Sequence, residues 1–215
     1  MTYSTCPLEI QPLQNGTLPI RSQTVSSILA AAPYFSRYIL GVADFGIVFG
    51  VLLVPAVIFM PLWAFVGHRI GKRRGFIISS FVFMAGLVAS LAAHVVPLAI
   101  ALALVAVTSV GYAGMQMFPL AMLPDTISDD AARTGSQRAG AFTGVWTAGE
   151  TAAFAIGPAL VLLLLAVTGF ISTTAGQTVT QPDSAILGVT LAFSVLPVVL
   201  VALSLPFVWR YPLRD

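Results

Sequence analysis

The sequence predicts an all-α membrane protein, a polytopic bundle of five to six transmembrane helices, and three observations carry that prediction. Of its 215 residues 58% are hydrophobic and 8% charged, with a mean hydropathy of +0.95, whereas a water-soluble domain is roughly a quarter charged. The apolar residues run in charge-free stretches, and about 20 such residues cross a hydrocarbon core of about 30 Å as a helix. Lys and Arg gather in every second connection between those stretches, as positive charge does when it marks one side of a membrane. A net charge of +2 is too small and too scattered for nucleic-acid binding. A single cysteine, Cys6, excludes an internal disulfide and a cysteine-based metal cluster.

Residues 1–27 are polar and read as an N-terminal tail outside the fold. They lack a basic segment followed by an apolar one, so they are not a signal peptide. Asn15-Gly16-Thr17 fits a glycosylation pattern too common by chance to carry weight. The first span, about 28–43, is apolar but short and holds Pro33 and Arg37. The second, about 45–67, carries no charge. A long neutral stretch then divides at His94-Val95-Val96-Pro97 into spans of about 75–93 and 97–123. The fifth, about 140–168, contains one ionisable residue, Glu150, and the sixth, about 185–208, none. A short tail, 211–215, follows. These runs are continuously apolar, without the alternation over about ten residues that a transmembrane β-barrel shows. Helices satisfy their own backbone groups in lipid, and internal Pro55, Pro61, Pro119, Pro158 and Pro197 suggest kinked, packed ones.

The basic residues set the orientation. The 68–74 loop holds Arg69, Lys72, Arg73 and Arg74; the 124–139 loop holds Arg133 and Arg138; the end holds Arg210 and Arg214. The connections at 94–96 and 169–184 hold none. With six spans all three basic segments fall on one side, the cytoplasmic one, and the protein is expected in the cell (plasma) membrane.

Glu150 needs a reason, because a carboxylate at mid-membrane costs several kcal/mol. It lies about eleven residues, roughly 16 Å, into its span. Thr143, Trp146, Thr147 and Phe154 share its helical face, an arrangement suited to a polyhydroxylated solute, a proton or a cation. The other reading is a protonated or paired Glu that glues helices together. Thr108, Ser109, Tyr112 and Gln116 form a second polar stripe, open to the same two readings. Tyr34, Arg37 and Tyr38 form a third, and Arg37 either lines a cavity or snorkels to the interface. Small residues make two ridges on the Glu150 helix: Gly140, Gly144, Ala148 and Ala152, and Gly149, Ala153 and Gly157. Both suit close helix packing. His68 and His94 fall on opposite sides with no second ligand in register, no serine has a His/Asp pair, and Gly71-Lys72 lacks phosphate-loop glycines. No enzyme and no metal site are expected.

The run Pro61-Leu62-Trp63-Ala64-Phe65-Val66-Gly67-His68-Arg69-Ile70-Gly71-Lys72-Arg73-Arg74 resembles the basic loop after the second helix of a major facilitator half. Leu123-Pro124-Asp125 through Gly135 and Arg138, then Gly144-Val145-Trp146-Thr147 to Gly157-Pro158, resembles the glycoside–pentoside–hexuronide:cation symporters, the melibiose permease-like family. Tyr211-Pro212-Leu213 resembles the end of that family's last helix. The resemblance covers about 28–213 and implies the C-terminal half of a major facilitator fold, helices seven to twelve. It implies cation-coupled symport of a sugar or similar small polar solute by alternating access. Glu150, Trp146, Thr147, Tyr112, Gln116, Arg37 and Tyr34 are the candidate solute ligands. By position in the resemblance, Asp125, Arg138 and the Arg69, Lys72, Arg73 and Arg74 group help close the cytoplasmic gate, while positive charge retained inside explains the arginines equally.

Ala64, His68, Ala139 and Thr151 depart from the pattern. Relatives often carry Glu at the position of Ala139 and Lys at that of Thr151, so sugar specificity does not transfer. No cofactor is implied beyond a coupling cation, sodium or proton. The implied partners are membrane lipid, the solute, and a matching N-terminal half or a second copy. The alternative is a truncated, non-transporting membrane protein or a helical interaction module.

Overall fold

The computed structural model describes residues 11–172 and 179–209, with side chains described over 22–172 and 179–206. Its helices are α1 Gln11–Tyr38, α2 Phe45–Ile70, α3 Lys72–Ala89, α4 Leu98–Thr134, α5 Ala139–Val167, α6 Asp183–Thr190 and α7 Leu196–Trp209. A 3-10 turn, Ser90–His94, extends α3, and a π-helical segment, Leu191–Val195, joins α6 to α7 as one rod. Among the described residues there is no strand, and five rods are long and apolar enough to cross a bilayer.

The connections are short because the helices run further than their apolar stretches. Gly71 alone separates α2 from α3, with φ 88°, a conformation natural to glycine. The segment expected as a 68–74 loop is therefore helix on either side of one residue. The expected loop at 124–139 shrinks likewise, because α4 continues to Thr134 and only Gly135–Arg138 connect it to α5. Pro124 forfeits one hydrogen bond without ending the helix. The helix stops at Gly135, which is left-handed at φ 66° and donates to the Ala131 carbonyl at 2.9 Å. At 37 residues α4 is about 55 Å long, well beyond a core of about 30 Å, and the turns after Pro124 project from it. The chain leaves the 3-10 turn at His94, and α4 starts after Pro97. In the last rod the Leu196 N–H reaches back five residues to Leu191 O. That wide turn lies directly before Pro197, whose ring would crowd the Phe193 carbonyl in a regular helix.

The largest interfaces are α3–α4, α1–α5, α2–α4 and α1–α7. Taken in chain order, α1, α2 and α3 make one three-rod unit and α4, α5 and the α6–α7 rod another, and the first helix of each packs on the second and third rods of the other. The core joins the two units: Phe35 of α1 stacks on Phe193 of the π-segment at 4.0 Å, and Val48, Phe83, Leu87, Val105 and Phe118 are fully buried with them.

The boundary expected between a polar tail and the fold, at 27/28, falls inside α1. Ser22, Thr24, Ser26 and Ser27 are buried, and their small size is the reason. Ser26 Oγ donates to the Ala153 carbonyl of α5 at 3.2 Å and Ser27 Oγ to that of Gly157 at 3.5 Å. A Cβ on Gly157 would strike Ser26. A polar but slim helix face is what lets α1 lie close on α5. Residues 1–10 and 210–215, with Cys6, Arg210, Arg214 and the expected tail at 211–215, lie outside the described residues.

Candidate functional site

Helix α5 packs mainly on α1, through the face bearing Phe142, Trp146, Ala153, Gly157, Val161 and Leu165, all buried. Its two flanks differ in chemistry. On one side Glu150 is half-buried beside Thr143, Thr147 and Thr151, all three exposed. On the other side Val145, Ile156 and Leu163 are exposed at 49%, 48% and 60%. Thr143 Oγ1 donates to the Ala139 carbonyl at 3.0 Å and Thr151 Oγ1 to that of Thr147 at 2.8 Å. Their donor capacity is thus spent on the helix, and each oxygen remains an acceptor. Of the two small-residue ridges, Ala153 and Gly157 meet α1 closely, whereas Gly140 and Gly144 face open space.

The stripe on α4 divides. Ser109 Oγ donates to the Leu52 carbonyl of α2 and Thr108 is wedged where a Cβ on Gly86 of α3 would sit, so both hold helices together. Tyr112 and Gln116, one turn further on, are half-buried, and Gln116 Nε2 donates to Tyr112 Oη at 2.9 Å. Tyr112 also borders an apolar cavity of about 100 Å³ between α1, α2, α3 and α4, with Val25, Ile28, Leu52 and Phe83 among its walls.

The candidate solute residues are not gathered at one point. α4 and α5 share no substantial interface, so the Tyr112–Gln116 pair and the Glu150 flank sit on separate walls. Arg37 is further away still. Ser26 of α1 is level with Ala153 and Ser27 with Gly157, which places Arg37 about 21 Å beyond Glu150 at the helical rise. Its guanidinium is exposed, 5.9 Å from the Tyr38 ring. Tyr34 and Tyr38 both meet the Phe170 ring edge-on, at 5.2 and 5.4 Å. Arg37 and Tyr34 therefore belong to one end of the bundle.

The candidate gate residues lie at the opposite end. Lys72 Nζ meets Asp125 Oδ2 at 2.5 Å and the Ala121 carbonyl at 3.0 Å, tying the start of α3 to the projecting turns of α4. Arg138 Nε stands 3.6 Å from Oδ2 of Asp130, an ion pair without a hydrogen bond, and Asp130 is only 2% exposed. Arg133 pairs with Asp129 at 2.9 Å. Arg69 lies 5.0 Å from the Phe65 ring; Arg73 is half-buried and Arg74 exposed. Sequence reasoning missed Asp129 and Asp130, although Arg133 at i+4 from Asp129 signalled a helix there. It also missed Trp63, whose Nε1 donates to the Val110 carbonyl of α4 at 2.8 Å. Gln181 went unnoticed too, though it is buried and bonds both backbone groups of Ile171, at 2.9 and 2.8 Å. Among the described residues no three His, Cys, Asp or Glu side chains gather as metal ligands.

Residues 20–215 match the family described as MFS/sugar transport protein. The chain belongs to that family. It is a multi-pass membrane protein of a transporter family, and its swapped three-helix units are the arrangement that such transporter halves share. The family match begins inside α1, in agreement with the burial of Ser22–Ser27. No curated protein matches the chain.

Proposed function

We propose that the chain forms one half of a cation-coupled symporter for a sugar or similar small polar solute, of the glycoside–pentoside–hexuronide type, working by alternating access. The observation that carries the reading is the asymmetry of α5. A half-buried carboxylate, three threonines and the exposed Phe154 ring line one flank, and only aliphatic residues line the other. In lipid the aliphatic flank is at no disadvantage, whereas a carboxylate near mid-depth requires a polar neighbour or water. Glu150 and Thr147, with Tyr112 and Gln116 on the separate wall, form the solute path, and Trp146, buried on the α1 side of α5, holds α5 in place behind it. A second helical half covers the flank beside the open Gly140 and Gly144 surface. Arg37 and Tyr34 act at the entrance. α1, packed alongside α5 and α7, crosses with them as the sixth span.

The basic end is cytoplasmic, in the plasma membrane. Lys72–Asp125 and Arg138–Asp130 brace the inward gate there, with Arg69, Arg73 and Arg74. Sodium or a proton is the coupling cation, and it, rather than a cofactor, supplies the driving force. The test is uptake into proteoliposomes containing the chain with a matching amino-terminal half. A sugar panel is offered under an imposed sodium or proton gradient. Gradient-dependent accumulation of one sugar supports the reading, and its absence across the panel refutes it. The second reading, a helical interaction module, is favoured by the open ridge at Gly140 and Gly144, and predicts helix-pair formation without any uptake.

A further inference from the structure

The charges at the basic end do not cancel. Among the described side chains Arg69, Lys72, Arg73, Arg74, Arg133 and Arg138 stand there against Asp125, Asp129 and Asp130, a net charge of +3. Each carboxylate holds one cation, through Lys72, Arg133 and Arg138. The opposite end carries Arg37 against Asp44 and Asp183, a net charge of −1. Among the described side chains, then, net positive charge is confined to one end of the bundle.

Arg69 and Arg74 are exposed, one on each side of Gly71. Each heads an exposed apolar stripe at helical spacing. Below Arg69 on α2 come Phe65, Leu62 and Ile58, exposed by 56%, 49% and 64%. Beyond Arg74 on α3 come Ile78, Phe81 and Val88, exposed by 44%, 53% and 53%. The Arg69 guanidinium leans back to 5.0 Å from the Phe65 ring. The guanidinium thus lies over the head of its own apolar stripe.

We propose that this edge binds anionic phospholipid, with the phosphate of the headgroup taken by Arg69 and Arg74 and the acyl chains laid along the stripes. A guanidinium matches phosphate oxygens with paired donors, and basic groups next to a membrane span attract acidic lipid. The apolar stripes running from both arginines select a lipid over a soluble anion, which would leave them unused. The inference rests on membership of a membrane family and not on the transport reading. Failure of uptake leaves it intact, and its own failure leaves uptake intact.

The experiment is native mass spectrometry of the full chain in detergent, offered phosphatidylglycerol and phosphatidylcholine in equal amounts. The wild type is expected to prefer phosphatidylglycerol, each arginine contributing about fivefold. Arg69→Gln with Arg74→Gln should bring the two lipids near parity, while Arg133→Gln, which removes a cation already held by Asp129, keeps the preference. Raising salt on the unaltered protein should weaken the preference, a check that needs no variant to fold. Equal binding of both lipids by the wild type, or a preference that survives the double substitution, overturns the proposal. Displacement of phosphatidylglycerol by an equal concentration of inorganic phosphate would do so too, by assigning the arginines to a soluble anion.

Discussion

Glu150 is the residue on which chemistry turns, because it is the one carboxylate within the apolar length of α5. Glu150→Gln keeps the shape but replaces one acceptor oxygen by an NH2 donor and leaves no carboxylate. We expect gradient-driven accumulation to fall at least tenfold in the proteoliposome assay, with unchanged insertion and expression. Wild-type accumulation would return Glu150 to a packing role. Trp63 acts differently: its ring, 6% exposed, meets Phe118 edge-on at 5.9 Å while its Nε1–H bonds α4. Trp63→Phe should cost at least about 0.6 kcal/mol, the average for a hydrogen bond between membrane helices, with the volume vacated by the indole adding to it, read as a lower midpoint of thermal unfolding in detergent. At this scale the sequence was legible only in kind. It marked Thr108, Ser109, Tyr112 and Gln116 as one polar stripe. Helical spacing cannot tell the hydroxyls that bond a neighbouring backbone from the pair that faces a gap, since that depends on which rod lies alongside.

Between elements the decisive contact is α1 on α5, and its tightest point is Gly157. Gly157→Val would push against Ser26 and the Gln23 carbonyl and should destabilise by about 1–3 kcal/mol as overpacking. Gly144→Val, which faces open space, should leave the unfolding midpoint of this chain unchanged. Equal effects of the two substitutions would contradict the interface. The Lys72–Asp125 pair ties two elements at the basic end, but its side chains are 37% and 49% exposed. Asp125→Asn should therefore cost no more than about 1 kcal/mol. The apolar lengths of 45–67, 75–93 and 140–168 were plain from composition. The ends of α1 and α4 were not. Serines 22, 26 and 27 look like a solvated lead-in until another helix lies on them. Pro124 and Asp125 look like a loop, although a helix can continue past a proline at the cost of one bond.

At the level of the whole molecule, five apolar rods, α1 and the family match make a helical bundle of a membrane transporter family whose two three-rod units exchange partners. Alternation of charge along the sequence already implied that His68–Arg74 and Asp125–Arg138 share an end, and the Lys72–Asp125 pair joins them. What no single-sequence pattern contained was the separation of the Tyr112–Gln116 wall from the Glu150 wall, which follows from α1 packing against α5 while α4 packs against α2 and α3. The central claim is that one flank of α5 faces an aqueous path and the other faces lipid. Single cysteines placed at Thr143, Thr147 and Thr151, and at Val145, Ile156 and Leu163, in a Cys6→Ser background, test it in intact membranes with a charged, membrane-impermeant thiol reagent. The account predicts labelling of the threonine positions and little or none of the aliphatic ones. Labelling confined to the aliphatic flank, or indifferent to flank, would contradict it.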